Sequence, residues 1–526
     1  MHRYVFTLIF LASFIACQNE KSERLGPPNI IYIMSDDHAN AAVSLYGSKM
    51  IETTNIDRIG REGIQFTNSF VTNSICAPSR AVLLTGKYSH LNGLRDNLDR
   101  FDGSQVTLPK LLQAAGYFTA MIGKWHLKSE PTGFDHFEVL IGQGPYYNPV
   151  MIRDGDTIEH IGYTSDIITD LTLQTLETRD TSKPFCILYH HKAPHRNWMP
   201  HPQHFDMYAD EDLPLPPTFY DDYRTRSSAA AEQDMRIDDM FLSSDLKLQP
   251  GSYVQETGTG GAGNPNHDAE KNWANEYGRL TPEQKTAWDS HYDKVSEDFQ
   301  AANLTGKALL EWKYQRYMKD YLRCVKSVDD NIGRVLDYLD AHGLAENTIV
   351  IYTSDQGFYL GEHGWYDKRF MYEESLRMPL VMRFPHRIEP GQIIDRIVLN
   401  LDFAPTLLDY AGVDIPDDFQ GRSLRVLAES DGPVDDWRTS MYYHYYEYPH
   451  GWHNVKRHEG VRGERYKLMH YYNDIDAWEL FDLQDDPTEI NNQIDDPQME
   501  GKIVELKQEM ARLKQKYQVP LDELVR

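Results

Sequence analysis

Asn29-Ile30-Ile31-Tyr32-Ile33-Met34-Ser35-Asp36-Asp37-His38 is the stretch that decides the fold. Ile30 to Met34 is apolar without a break and rich in β-branched side chains, which is how a strand buried on both faces reads. Two adjacent carboxylates follow at its C-terminal end. Open α/β sheets bind ligands there, and carboxylate oxygens suit Ca²⁺ or Mg²⁺, although an Asp pair after a strand also caps helices. The pattern recurs. Phe118 to Ile122 delivers Gly123-Lys124-Trp125-His126, Pro184 to His190 delivers His191-Lys192-Ala193-Pro194-His195, and Thr348 to Thr353 delivers Ser354-Asp355-Gln356-Gly357. Between these runs, Thr54 to Gly63, Leu108 to Ala115 and the stripe Tyr314, Met318, Tyr321, Val325, Val328, Ile332, Val335 and Leu339 read as helices. The expected class is α/β, a large and mostly parallel sheet flanked by helices. Lys124 and His126, two apart on an extended chain, share a face.

Cys76-Ala77-Pro78-Ser79-Arg80 leads into Ala81-Val82-Leu83-Leu84-Thr85-Gly86-Lys87. Pro78 fits a first helical turn, where its missing N–H costs nothing, and Gly86 allows a stop. Cys76 therefore stands at a helix N-terminus, with Arg80 one turn on. Unpaired N–H groups, the helix dipole and a guanidinium together favour an anion such as an oxyanion ester.

Taken together these strings resemble the type I sulfatases, whose motif is Cys-x-Pro-x-Arg with a Leu-Thr-Gly a few residues later. The likeness implies an alkaline-phosphatase-like sandwich and a cysteine oxidised after translation to formylglycine by a maturation enzyme. It implies one divalent cation, Ca²⁺, held by Asp36, Asp37, Asp355, Gln356 and the converted Cys76, although many members carry Asn where Gln356 stands. Arg80 would activate the nucleophile, Lys124 would hold the sulfate, His126 would work on the formylglycine and His195 would meet the ester oxygen. In Gly361-Glu362-His363-Gly364-Trp365-Tyr366-Asp367-Lys368-Arg369, Lys368 would reach the sulfate and His363 and Arg369 would line the pocket. The segment from Asp355 to Lys368 and the long helix look most like the N-acetylglucosamine-6-sulfatase branch. The implied substrate is thus the 6-O-sulfate of N-acetylglucosamine in heparan- or keratan-type chains. Alternatives are a sulfatase of algal ulvan or galactan, a phosphohydrolase of the same superfamily, and an unmatured glycan-binding lipoprotein.

At 526 residues the chain exceeds one compact core, so a catalytic domain over 27–425 and a smaller one over 433–526 are expected. A net charge of -27 argues against nucleic acid and requires a local basic cup for an anionic substrate. Arg3 and the apolar run Tyr4 to Ala16 read as a signal peptide over 1–17. Phe14-Ile15-Ala16-Cys17 is similar to a bacterial lipoprotein box, with Phe14 at the usual Leu. Export to the periplasm or cell surface follows, with or without a lipid anchor on Cys17. Cys186 and Cys324 then remain, as a pair or as two buried thiols.

Residues 206–303 break the pattern, being polar and acidic with a glycine-rich stretch at 257–265, and read as an insertion: a surface excursion or a substrate wall. Thr281-Pro282-Glu283-Gln284 within it carries a helix-start capping box. Past Pro433, aromatic Met441 to Tyr448, a basic hairpin through Lys456-Arg457-His458, Arg462 and Arg465, and a final helix form a small sheet-and-helix unit. Its aromatics and cations suit either its own core or a sulfated sugar, and on the second reading His453 and Arg457 would touch substrate.

Overall fold

Five parallel strands, Thr348–Ser354, Asn29–Ser35, Phe185–His190, Phe118–Gly123 and His136–Leu140, form the middle of a ten-stranded sheet. The computed structural model describes residues 26–253, 268–430 and 432–525. Antiparallel strands extend both edges: Leu380–Arg383 on one side, Val150–Arg153 and Asp156–Glu159 on the other. Along Asn29–Ser35, Ile30, Tyr32 and Met34 join one hydrophobic core, while Ile31 and Ile33 join the other. This period-two split is why the strand is apolar at every position.

The 36-residue helix Gly306–Ala341 covers one face, burying Tyr314, Met318, Tyr321, Val325, Val328, Ile332, Val335 and Leu339. Helices Cys76–Thr85, Leu108–Ala114 and Phe403–Ala411 cover the other. Cys186 belongs to one core and Cys324 to the other, so the sheet lies between them and both are free buried thiols.

Register places the site. Asn29 pairs with Thr348 and Ser35 with Ser354, Met34 lies beside His190, and Gly123 lies beside His190 on the far side. The residues that follow these four strands therefore emerge at one edge of the sheet, side by side.

Strands Ser440–Tyr445, His458–Gly463, Tyr466–Tyr471 and Ala477–Asp482 make a second, antiparallel sheet against helix Glu500–Lys516. Met441, Tyr442, Tyr443 and Tyr445 are buried in the core shared with the large sheet, so these aromatics are packing. The cations nearby are held in ion pairs, Lys467 with Glu489 at 2.7 Å and Arg465 with Asp482 at 2.6 Å.

The insertion is not a surface excursion. Trp273, Trp288 and Tyr292 are buried in the long helix's core, and Lys247 lies 3.3 Å from Asp320 of that helix. Thr281 caps Pro282–Ala302 in a capping box with Gln284. Thr281→Ala is expected to lower stability by about 1 kcal/mol, read as a shifted urea midpoint at unchanged slope. The glycine-rich 257–265 and the leader with Cys17 lie outside the described residues. Among the described residues no helix is long and apolar enough to cross a membrane.

Candidate active site

Cys76 opens helix Cys76–Thr85 because Ile75 before it is extended, at φ -151°, and Gly86 ends the helix in the left-handed region at φ 61°. Every residue of this helix is buried, so its N-terminus points into protein rather than solvent. The Cys76 sulfur lies 3.9 Å from the Gln356 amide nitrogen, and burial pushes the thiol up to about 12. An unconverted thiol here is not ionised at neutral pH and is a poor nucleophile.

Asp36, Asp37 and Asp355 each offer an oxygen to one point, these atoms lying within 4.8 Å of one another. Burial raises Asp37 to about 6 despite Lys368, whose Nζ donates to both its oxygens at 2.7 Å. Neither Asp36 oxygen accepts a hydrogen bond; its charged neighbours are Lys124, in contact with Oδ2, and Arg80, 3.9 Å from Oδ1. The Gln356 amide donates to Asp37 and leaves its Oε1 buried without a partner. Three buried carboxylates, one of them with both oxygens orphaned, and a spare amide oxygen fit a hard divalent cation.

Arg80 donates twice to Asp355 Oδ2, at 3.1 and 2.9 Å, and once to the Lys124 carbonyl at 2.8 Å. Lys124 follows a sharp bend. Gly123 has φ 100°, and a Cβ there would sit 2.0 Å from the His190 carbonyl oxygen, so only glycine fits. His126 is itself left-handed at φ 57°. Lys124 and His126 therefore do not share the face of an extended chain: Lys124 turns to Asp36 and His126 to the cavity. His195 Nδ1 bonds the Arg196 carbonyl at 2.6 Å, leaving Nε2 3.8 Å from Asp37 Oδ2. Burial and the charges of Lys124, Lys192 and Lys368 hold His195 well below the usual imidazole range.

These groups open onto a cavity of about 740 Å³ lined by Cys76, His126, His195, Lys368, Arg369 and His453, among others. A sequence profile of the family described as "Sulfatase" matches residues 28–413, and one for the N-sulphoglucosamine sulphohydrolase C-terminal region matches 361–516. The chain belongs to the sulfatase family. It is a sulfuric ester hydrolase. This sulfatase is 49% identical over 510 residues to the N-acetylglucosamine-6-O-sulfatase of Bacteroides thetaiotaomicron, covering 96% of this chain and 89% of that one. It superposes with TM-score 0.89 and 49% identity on a solved protein in complex with its substrate D-glucosamine-2-N,6-O-disulfate, over 94% and 99% of the two chains. An ulvan-active sulfatase of Formosa agariphila is 24% identical over 94% of this chain and 83% of its own. The phosphonate monoester hydrolase of Agrobacterium radiobacter shares the fold at TM-score 0.65 and 18% identity, over 93% and 96%.

Two residues expected at the substrate lie elsewhere in this sulfatase. His363 is wholly buried, with Nδ1 2.9 Å from Asp221, and does not line the cavity. Arg457 donates to the Tyr446 carbonyl and faces a separate cavity. Conversely, Asp367, Glu447, His450, Trp452 and the insertion residues Asn275, Glu276 and Arg279 line the active cavity without having been singled out. Asp367, directly before Lys368, was the one with a local signal.

Proposed function

We propose that this sulfatase removes the 6-O-sulfate of N-substituted glucosamine in heparan- or keratan-type glycans through formylglycine at position 76. One observation carries this reading: the likeness to a 6-O-sulfatase and to a disulfated-glucosamine complex runs through nearly the whole chain at 49% identity. Asp36, Asp37, Asp355 and Gln356 would hold the divalent cation, Ca²⁺. When present, the cation and the formylglycine hydrate would supply, between them, an acidified hydroxyl as nucleophile and a second hydroxyl on the same carbon.

The chain's own residues do the rest. Lys124, Lys368 and Arg80 oppose the charge on the sulfuryl oxygens. His195, tied through Nδ1 to a backbone carbonyl, presents Nε2 to the sugar oxygen, and the proton it delivers there lets the sugar leave as an alcohol. Burial, with the charges of Lys124, Lys192 and Lys368, disfavours that proton before substrate arrives, and the negative sulfate ester favours it again. His126, buried and with Nδ1 unpartnered, is placed to remove the proton whose loss frees sulfate from position 76. Arg369 and His453 line the cavity and bind the sugar. The same reading has the segment 1–17 direct export to the periplasm or cell surface, with lipid on Cys17 and a formylglycine-generating enzyme as maturation partner.

A sulfate-release screen tests it. Glucosamine derivatives sulfated at O6 should be turned over at least about 100-fold faster than those sulfated at O3, and faster than ulvan. Inertness on every 6-sulfated hexosamine, or faster release from ulvan, overturns the assignment.

A further inference from the structure

The buried cations around the cavity are matched with one exception. Lys368 is paired with Asp37 at 2.7 Å, Arg369 with Glu447 at 2.8 Å and Arg196 with Asp245 at 2.7 Å. Lys192 lines the same cavity and is 5% exposed. Its Nζ lies 4.8 Å from the centre of the Tyr146 ring and donates only a long bond, 3.5 Å, to the Arg196 carbonyl. Among the described residues no carboxylate lies within ion-pairing distance of it. A desolvated ammonium without a counter-charge is costly, and nothing in the packing requires a charge there, because a Met of similar length would cover Tyr146 as well.

What faces Lys192 is the wall built by the insertion. Asn272, Asn275, Glu276 and Arg279 line the cavity at spacings of three, one and three on and just after helix Ala269–Gly278. That is one helical face, and Trp273 on its flank is buried. A stripe of amides, one acid and one guanidinium against an open cavity suits a sugar bearing hydroxyls and an anionic group. Glu276 is the strongest acidic influence on Lys192, yet the two do not form an ion pair. Lys192 keeps its charge at neutral pH, since burial lowers it only to about 8. It also stands apart from the cations of the scissile sulfate: Lys124 and Lys368 contact the carboxylates of the proposed cation site, whereas Lys192 contacts neither Asp36 nor Asp37.

We propose that Lys192 reads a second anionic group of the substrate, distinct from the ester being cleaved, and so selects multiply charged glycans. The proposal rests on the glucosamine-6-sulfate reading above. Two sources share the chemistry: an N-sulfate on the same glucosamine, or the carboxylate of an adjoining uronic acid. A charge-assisted hydrogen bond in a desolvated pocket makes this worth about ten- to a hundredfold in affinity.

The experiment compares the parent with Lys192→Met, Lys192→Gln and Lys192→Arg on two substrate pairs. One pair is 6-sulfated glucosamine carrying N-sulfate or N-acetyl. The other is a 6-sulfated disaccharide carrying a uronic acid or its carboxyl-reduced form. The parent should prefer the more anionic member of one pair at least about tenfold, chiefly through KM, and that pair names the source. Lys192→Met and Lys192→Gln should bring the preference close to one, and Lys192→Arg should keep most of it. An unchanged ratio overturns the proposal, whether or not both members lose turnover equally. Calorimetric binding of glucosamine N-sulfate without a 6-sulfate, against N-acetylglucosamine, and of the unsulfated disaccharide against its carboxyl-reduced form, reads the same preference without turnover. Failure of the 6-O-sulfate reading therefore leaves Lys192 still tested.

Discussion

Cys76→Ala is expected to cut sulfate release by on the order of 10⁵-fold while leaving the affinity for a 6-sulfated glucosamine within a few fold of the parent. The asymmetry follows from where the charges sit. Lys124 and Lys368 are anchored on Asp36 and Asp37, and Arg80 on Asp355, so none depends on the side chain at position 76. Removing that side chain deletes the attacking group and leaves the anion cup standing. The parent thiol cannot substitute for the converted residue, because its environment keeps it protonated, at about 12. Mass spectrometry of the peptide spanning position 76 should show an aldehyde in the active enzyme. An intact thiol in fully active protein, or a Cys76→Ala variant retaining a hundredth of parental turnover, would sink the mechanism.

The strand ends made the centre of this site legible before any coordinates. Apolar runs ending in Asp36-Asp37, Lys124, His195 and Asp355-Gln356 name a parallel sheet and its functional edge together, and register then brings those ends side by side. The rim was not legible in the same way. His363 sits in a string whose resemblance to sulfatases puts it at the pocket, but Asp221, far away in sequence, pulls its ring into a buried pair. Arg457 looked like a ligand for a sulfated chain. The carbonyl of Tyr446, just past the end of the neighbouring strand, holds it instead. Local composition reveals neither that pairing nor a partner as distant as Asp221. The insertion fails for another reason: its polar, acidic composition outweighs the stripe Trp288, Tyr292, Val295 and Phe299, which packs helix Pro282–Ala302 against the long helix's core, while Trp273 anchors the wall helix.

Asp355→Ala should cost about 3–5 kcal/mol of stability, more than Asp37→Ala. Arg80 is 2% exposed and directs two of its three close hydrogen bonds at Asp355 Oδ2. Without that carboxylate the guanidinium keeps the Lys124 carbonyl and a distant Asp36, 3.9 Å away, and its charge stays buried. Asp37→Ala leaves Lys368 exposed to the cavity, where water can reach it, so its cost is smaller. Urea unfolding of the two variants decides this, and an Asp355→Ala loss under 1 kcal/mol would show that Arg80 is not held by that pair. The same titration carries the cation test. In the parent, Ca²⁺ at a hundred times its dissociation constant should add about 2.7 kcal/mol over a chelated sample. In Asp355→Ala that increment should vanish, because a ligand is gone and the freed Arg80 charge faces the cation. If the increment survives intact, Asp355 is not a ligand, and Asp36 and Asp37 hold the ion without it.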